Sequence, residues 1–479
     1  MIPHHVYSQL AVIGFLWLCI MLHYTWPSRS AVSPKLPTAS VPTKLKRKRT
    51  SEPKPFEGLT QRPPCAACEH EAHHPKPSAP RRPDPMPATN RRPCTIDTSM
   101  HFCPHDGCDY RGWLGLGNLR ANGHPSGGPW RQLYCRSCQG YFLETHGTIF
   151  HGKRLSVELI VRVLACLAEG LGIRATARVF EVDANTVLQW LVEAAEQLQA
   201  FTCYFLCDVH VTQLQLDELY AILRGVRDGQ ISEEQALRLL EPARPWVWTA
   251  IDPVSKLLLV IEVGPRTAEI AQRVVHQVAS VLAPGCRPAW FSDGFKGYLP
   301  AILGHFGLWT QPERLQDKGP HPKPRWMPLP GLLYAQVVKT VRRRRLVRVS
   351  HRVVFGTLEA VEQVLAVCGW QIQTAFVERL NLDIRQRVAA VGRRVTTLCK
   401  GEDGVRQQLA LYQTYHNFCL PHGSFRQPLP VPEPTKGSGS AKQWRPCTPA
   451  MVAGLTDHVW SLREMLLFRV PPWPQPQTA

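Results

Sequence analysis

Acidic residues are scarce in this chain. Its 479 residues include 37 Asp+Glu against 56 Lys+Arg, which leaves a formal net charge of +19. The deficit argues for a polyanionic partner, either nucleic acid or an anionic membrane face. Long apolar runs are also missing. The longest apolar run, Leu10–Tyr24, has 15 residues and no Asp, Glu, Lys or Arg, short of the ~20 that span a bilayer. No basic segment precedes it and no small-residue cleavage site is obvious after it, so a secretory signal peptide is a poor fit. Sixteen Cys in so long a chain are too sparse for a small disulfide scaffold. An apolar share of 44% is ordinary, which excludes a chain disordered throughout. The length excludes a single core and predicts two to four domains.

The first ~95 residues show no helical or strand periodicity. Residues 1–25 hold the apolar segment, and 26–95 read as a Pro-rich, basic linker. If residues 10–24 insert in a membrane, the cluster Lys44, Lys46, Arg47, Lys48 and Arg49 keeps the main body cytoplasmic. The competing reading is a tail with no catalytic role. Within the linker, Cys65, Cys68, His70, His73 and His74 offer a tight metal knuckle, or else loose thiols in a tail.

Two cysteine pairs follow, Cys103-x₄-Cys108 and Cys135-x₂-Cys138. Each is a turn that aims two thiolates at one point, and together they supply the tetrahedral set that Zn²⁺ prefers. Residues 100–150 are therefore expected to form a zinc ribbon. His105, inside the first knuckle, is read as a surface residue. The intervening glycines, among them Gly112, Gly123 and Gly128, suit turns.

Residues 153–200 carry helical periodicity in three pieces. Ser156 fits an N-cap before Leu159, Ile160, Val163, Leu164 and Leu167, and a short helix runs from Ile173 to Phe180. Asp183 caps a third helix, Ala184 to about Gln199. Two helices across a short turn fit a helix-turn-helix, with Asn185, Thr186 and Gln189 as the polar residues that would reach base edges. The bland alternative is an ordinary helical hairpin.

Strand-like runs come next. Val209–Leu216 alternates and ends on Asp217 and Glu218. Trp246–Ile251 and Lys256–Val263 form a hairpin, and a helix spans Thr267–Leu282. Pro288–Ser292 ends on Asp293. Further on, Glu378, Asn381 and Arg385 share one face of a basic helix. Carboxylates gathered at strand ends hold two Mg²⁺ ions about 4 Å apart for phosphodiester chemistry. Hard divalent ions take oxygen ligands, hence acids rather than His or Cys. Taken singly, each acid is more often a surface residue.

The stretches QLDELYA around Asp217, WVWTAIDPVSKLLLVIEVGPRTA, WFSDGFKGY around Asp293, TAFVERLNLDIRQRV around Glu378 and YHNFCLPHGSFR resemble a DDE transposase of the insertion-sequence-one type. The likeness covers roughly residues 102–426 and implies a multidomain α/β protein. A small zinc ribbon and an all-α helix-turn-helix would precede an RNase H-like mixed-sheet catalytic core over 205–426, followed by a Pro-rich tail over 427–479. The resemblance implies a catalytic set of Asp217, Asp293 and Glu378, with Arg385 as the basic residue after the Glu. It implies Mg²⁺ (or Mn²⁺) at the acids and structural Zn²⁺ at Cys103, Cys108, Cys135 and Cys138. It also implies cleavage and strand transfer of DNA, with terminal repeats and target DNA as partners and at least a homodimer in a synaptic complex. A cytoplasmic, nucleoid location goes with that activity.

The chain departs from the compact pattern. Asp293 to Glu378 spans 85 positions. Insertions are read near 220–243, around a helical Ile231–Leu240, and near 302–373, where Arg342, Arg343, Arg344 and Arg345 would add a DNA-facing surface. Glu218 ranks second to Asp217 as a metal ligand, and Asp252 is a neighbour that would compete. In the tail, Ala450–Leu467 reads as a helix. The alternative function is a catalytically inactive zinc-ribbon/helix-turn-helix DNA-binding protein.

Overall fold

Turn chemistry around the cysteines builds the first element of the fold. In the computed structural model the described residues are 80–87, 97–220, 246–314, 322–343, 345–392, 401–435, 437, 439–473 and 475. All of them belong to one unit, Thr60–Ala479. The apolar segment at 10–24, the Cys65/Cys68 knuckle, the helix at 231–240 and Arg344 lie outside the described residues. No helix among the described residues is long and apolar enough to cross a membrane.

Strands β1 (Leu119–Ala121), β2 (Gln132–Cys135) and β3 (Tyr141–Leu143) form an antiparallel sheet in that order. Leu119, Leu133 and Phe142 bury against Cys103, Cys108 and Cys135 in a small separate core. Most of the intervening glycines adopt positive φ; Gly128 does not and is extended.

Three helices follow. In α1 (Val157–Ala168) the Ser156 side chain accepts from Leu159 N, as its position in the sequence predicts. Helix α2 (Ile173–Phe180) ends on Glu181 in the left-handed region, and the Asp183 side chain caps α3 (Ala184–Phe205) by accepting from Asn185 N and Thr186 N. Helix α3 runs six residues beyond the expected end. The extension exists because Phe201 and Phe205 are packed by distant aromatics, which periodicity within the segment does not reveal.

The main sheet is mixed and six-stranded. Its strands are β4 (Gln213–Tyr220), β5 (Trp246–Ile251), β6 (Leu258–Gly264), β7 (Ala289–Ser292), β10 (Tyr334–Arg342) and β11 (Arg345–Phe355), after a small side hairpin of β8 (Gly307–Thr310) and β9 (Arg325–Pro328). The order is β11-β10-β7-β4-β5-β6. Neighbours β4, β5 and β6 pair antiparallel, β4–β7 and β7–β10 pair parallel, and β10–β11 is an antiparallel hairpin. Parallel neighbours need crossovers. Helix α4 (Ala268–Val281), capped by Thr267, connects β6 to β7, and α5 (Tyr298–Phe306) leads out of β7. Helices α6 (Leu358–Ala366) and α7 (Ala375–Arg387) cover the opposite face, where Val361 and Leu365 pack on Phe291, Ala335 and Val337. A short turn of helix, α8 (Ala389–Gly392), leads on to α9 (Gly401–Thr414).

Two expectations need correction. The stretch read as an insertion over 302–373 contains β10, a strand of the main sheet. Its first three residues pair with β7, and that pairing is non-local and leaves no mark in the local pattern. The tail helix expected over 450–467 is two short helices, α10 (Pro449–Val452) and α11 (Leu462–Leu467), because Gly454 at φ +73° breaks the run. The tail also carries a hairpin of β12 (Gln427–Glu433) and β13 (Lys442–Arg445).

Helices α1–α3, the main sheet, α9 and the tail share one core. Phe201 of α3 is its aromatic hub, with ring centroids 5.1 Å from Phe418, 5.0 Å from Trp460 and 5.5 Å from Phe468. At Gly170 a Cβ would come within 2.7 Å of the Gln386 carbonyl, so the end of α1 sits directly against the end of α7. Phe201→Ala is expected to cost about 3–5 kcal/mol. The loss would be read as a lower denaturation midpoint, with the helices and the sheet melting together; separate transitions would contradict a shared core.

Candidate metal and carboxylate centres

The four thiols meet as the spacing predicts. Cys103, Cys108, Cys135 and Cys138 are free of disulfides, and their sulfurs lie within 4.8 Å of one another. Cys103 Sγ is 3.6 Å from Cys138 Sγ, and Cys108 Sγ is 3.7 Å from Cys135 Sγ. Four sulfurs bound tetrahedrally at ~2.3 Å to one ion would be about 3.8 Å apart. Asn118 Nδ2 donates to Cys135 Sγ at 3.4 Å. A hydrogen bond from Cys103, with the backbone N–H groups of Cys138 and Ser137, draws the Cys135 thiol well down toward thiolate. These residues fit a metal such as zinc. His105 is not a plain surface residue. Its Nδ1 lies 3.3 Å from Cys138 Sγ and 3.4 Å from Cys103 Sγ, folded back over Gly140, where a Cβ would strike the ring at 2.2 Å.

A second group comprises Asp217, Glu218 and Asp293, with carboxylate oxygens also within 4.8 Å of one another. Sheet register explains it. Leu216 pairs with Ser292, the last residue of β7, whereas β4 continues along β5 to Tyr220. Asp217 is therefore inside β4 rather than at its end, and only its β7 side is open. Consecutive strand residues point to opposite faces. At the overhang, however, both Asp217 and Glu218 can reach round the free edge to Asp293. This is why Glu218, ranked second in the sequence, joins the group.

Each face supplies partners. On the α7 face, Asn381 Nδ2 donates to Asp217 Oδ2 at 2.8 Å, and Thr249 Oγ1 donates to Asn381 Oδ1 at 3.2 Å. On the α4 face, Arg266 donates through Nε (3.1 Å) and an Nη (3.0 Å) to Glu218 Oε2, and reaches Asp293 Oδ2 at 3.4 Å. Its guanidinium lies 4.6 Å from the Phe295 ring centroid and 5.4 Å from Trp246. Glu218 is also faced by the buried Tyr298 hydroxyl, which favours its charged form. Burial, then the charge of Asp293, pushes the Asp217 carboxyl up to about 6, with Glu378 adding to the effect. Burial and Asp293 push Glu218 up to about 7 against the pull of Arg266.

Glu378 is not drawn into this group. Its carboxylate, half-exposed on the first turn of α7, is ion-paired with Lys339 of β10 and accepts from Thr374 Oγ1 at 2.8 Å. Arg385 is exposed further along α7, and among the described residues no ion pair brings it to the acids; Arg266 occupies that role. Asp252 is buried in its own turn, accepting from Val254 N and Ser255 N at 3.0 Å, and does not compete. Asn185 and Gln189 are exposed at the start of α3, with Gln189 Nε2 donating to Glu193 at 2.9 Å, and Thr186 is half-buried. Arg342 and Arg343 are exposed at the tip of the β10–β11 hairpin, where Arg345 opens β11. Arg266 and Lys339 carry no local sequence signal, because each acts on acids distant in the chain.

No protein-family model matches the chain, and a search of curated proteins finds no match.

Two predictions follow from the charges and the thiols. A carboxyl raised from 3.8 to about 6 contributes stability below pH ~4 that is lost as pH rises through 6. In metal-free buffer, Asp217→Asn should therefore melt above wild type at pH 8, by the equivalent of about 2–3 kcal/mol, with the gap closing near pH 4. Equal midpoints at pH 8 would show that Asp217 ionises freely. Purified protein should carry one equivalent of tightly held metal that Cys135→Ser loses, as measured by elemental analysis after dialysis.

Proposed function

We propose that the chain is a DDE-type transposase that binds the ends of an insertion sequence and catalyses metal-dependent DNA cleavage and strand transfer. The observation that carries this reading is Asp217 of β4 beside Asp293, which directly follows the adjacent parallel strand β7, within the order β6-β5-β4-β7-β10. That order, with three antiparallel strands followed by two parallel ones, is what an RNase H-like core requires. The Cys₄ sheet and the capped helices before it fit a zinc ribbon and a helix-turn-helix in the expected sequence.

Asp217 and Asp293 would hold divalent cations, Mg²⁺ or Mn²⁺, with Glu378 completing the set. Such ions supply activation of a water or 3′-hydroxyl and stabilisation of the leaving oxygen. The chain's own residues do the rest. Asn381 fixes the Asp217 carboxylate, and Thr374 fixes that of Glu378. Arg266 neutralises Glu218 and offers Asp293 a cation. Exposed Arg385 is positioned to meet a phosphate on α7. Cys103, Cys108, Cys135 and Cys138 would hold Zn²⁺, which organises a module too small to fold on its own core. Element ends and target DNA are the partners, and synapsis of two ends calls for at least a dimer, acting at the nucleoid.

A second reading, a catalytically inactive DNA-binding protein, is favoured by one feature: cationic side chains of the chain itself already occupy the carboxylates, Lys339 on Glu378 and Arg266 on Glu218. Incubating the protein with labelled DNA flanking its coding sequence and Mg²⁺ or Mn²⁺ separates the two. Wild type is expected to nick and join while Asp293→Asn loses about 10²–10³-fold, the cost of removing a main electrostatic contributor to the transition state. Binding without nicking by both proteins would leave only the second reading.

A further inference from the structure

The β10–β11 hairpin leaves the main sheet after Gln336, the last β10 residue paired with β7. Beyond that point it has no further strand neighbour in the main sheet and runs as a two-stranded ribbon, held near its root by Val337 under α6 and by the Lys339–Glu378 pair, to its tip at Arg343. Between Asp317 and Glu359 the sequence has no acidic residue and ten Lys or Arg. Strand alternation sorts the ribbon's residues into two faces. Ala335, Val337 and Lys339 of β10 share a face with Val349, His351 and Val353 of β11, the face covered at its root by α6. The other face carries Gln336, Val338 and Thr340 opposite Arg352, Ser350 and Arg348; beyond a register shift after Thr340, Arg342 continues that face of β10 and pairs with Arg345. Arg342, Arg348 and Arg352 are all exposed. They form a cationic column on one face, while the exposed apolar side chain of Val349 is on the other.

The column runs toward the carboxylates. Arg352 donates to Gln336 Oε1, and Gln336 Nε2 donates to Tyr334 Oη at 2.6 Å. The Tyr334 hydroxyl meets Ser292 Oγ at 2.8 Å, and Ser292 Oγ donates to the Asp293 carbonyl at 2.8 Å. A buried hydrogen-bonded chain thus ties the innermost arginine to the residue that closes the carboxylate group.

We propose that this ribbon is an arm for duplex DNA, with Arg342, Arg348 and Arg352 as a phosphate track leading to Asp293. The inference rests on the transposase reading and gives the site its substrate path. A two-stranded ribbon fits the major groove of B-DNA. Arg348 to Arg352 spans about 13 Å of strand, the axial length of roughly four nucleotides. Arginine suits the track, because its fork holds phosphate in a bidentate manner.

Salt dependence tests it. Binding of a fluorescein-labelled duplex of arbitrary sequence is measured by anisotropy from low to high NaCl. Each lost phosphate contact should lower the slope of log K against log [salt] by about 0.9. Relative to wild type, R342Q/R348Q/R352Q should lose about 2–3 from that slope, and R342Q/R348Q, which leaves the Arg352 chain intact, about 2. The triple Lys variant should keep most of it, and His351→Gln, on the opposite face, should keep all of it. An unchanged slope in both Gln variants overturns the arm while the transposase reading stands on nicking activity. Wild type that neither binds nor nicks duplex overturns both. Single-stranded RNA or heparin bound with the same loss in the Gln variants shows a general polyanion surface and overturns the commitment to duplex DNA.

Discussion

Three carboxylates held within 4.8 Å in a half-buried notch between the two central strands cannot all carry charge without a counter-ion. Much of the surrounding structure answers that constraint. Arg266 is held over two aromatic rings and aimed at Glu218 and Asp293. Asn381 gives Asp217 a donor, and burial leaves both Asp217 and Glu218 easier to protonate than free acids. A site so arranged is costly to keep ionised and favours any cation that enters. That trade of stability for reactivity is common where function needs strained electrostatics.

The constraint arises from an offset between strands. Because β7 stops at Ser292 while β4 runs on to Tyr220, the sheet has a notch, and the notch is where acids from both faces of β4 converge. Helices α4 and α5 close one side, and α6 and α7 the other. The notch is accessible because the β10–β11 ribbon diverges from β7 instead of continuing to pair with it. Sheet order and strand length together, rather than any one motif, create the site.

Local signals in the sequence were legible wherever the physics is local. Ser156, Asp183 and Thr267 cap helices where residue type and periodicity said they would. The cysteine spacing foretold a four-thiol cluster, and the hairpin at Asp252 was readable from its turn. What could not be read depended on distant partners. Glu218 ranks second in the sequence because Asp217 is the one that matches the family motif; alternation sends the two to opposite faces, and only the notch brings them together. Lys339 and Arg266 are single cations whose local sequence names no partner, because the acids they meet are distant in the chain. β10 was hidden in a stretch whose arginines suggested an appendage. The tail read as Pro-rich, yet Trp460, Met465 and Phe468 pack into the core around α3.

That tail also reaches the Cys₄ module. Arg469 lies over the Phe102 ring, Trp473 Nε1 donates to the Arg111 carbonyl at 2.7 Å, and Gln475 clasps Gly112 and Leu114. At Gly112 a Cβ would strike Pro472 at 2.5 Å, so the fit is close. The Leu114–Gln475 contact joins residues 361 positions apart. At ~5–20 residues per second of synthesis, the strap would trail the module by roughly 20–70 s. During that interval the nascent module lacks its strap, and only its own three short strands and whatever its four sulfurs grip can keep it folded. An ion bound early, on the ribosome, would let the module wait as a formed platform; without one it would wait as an open chain whose thiols are exposed to oxidation.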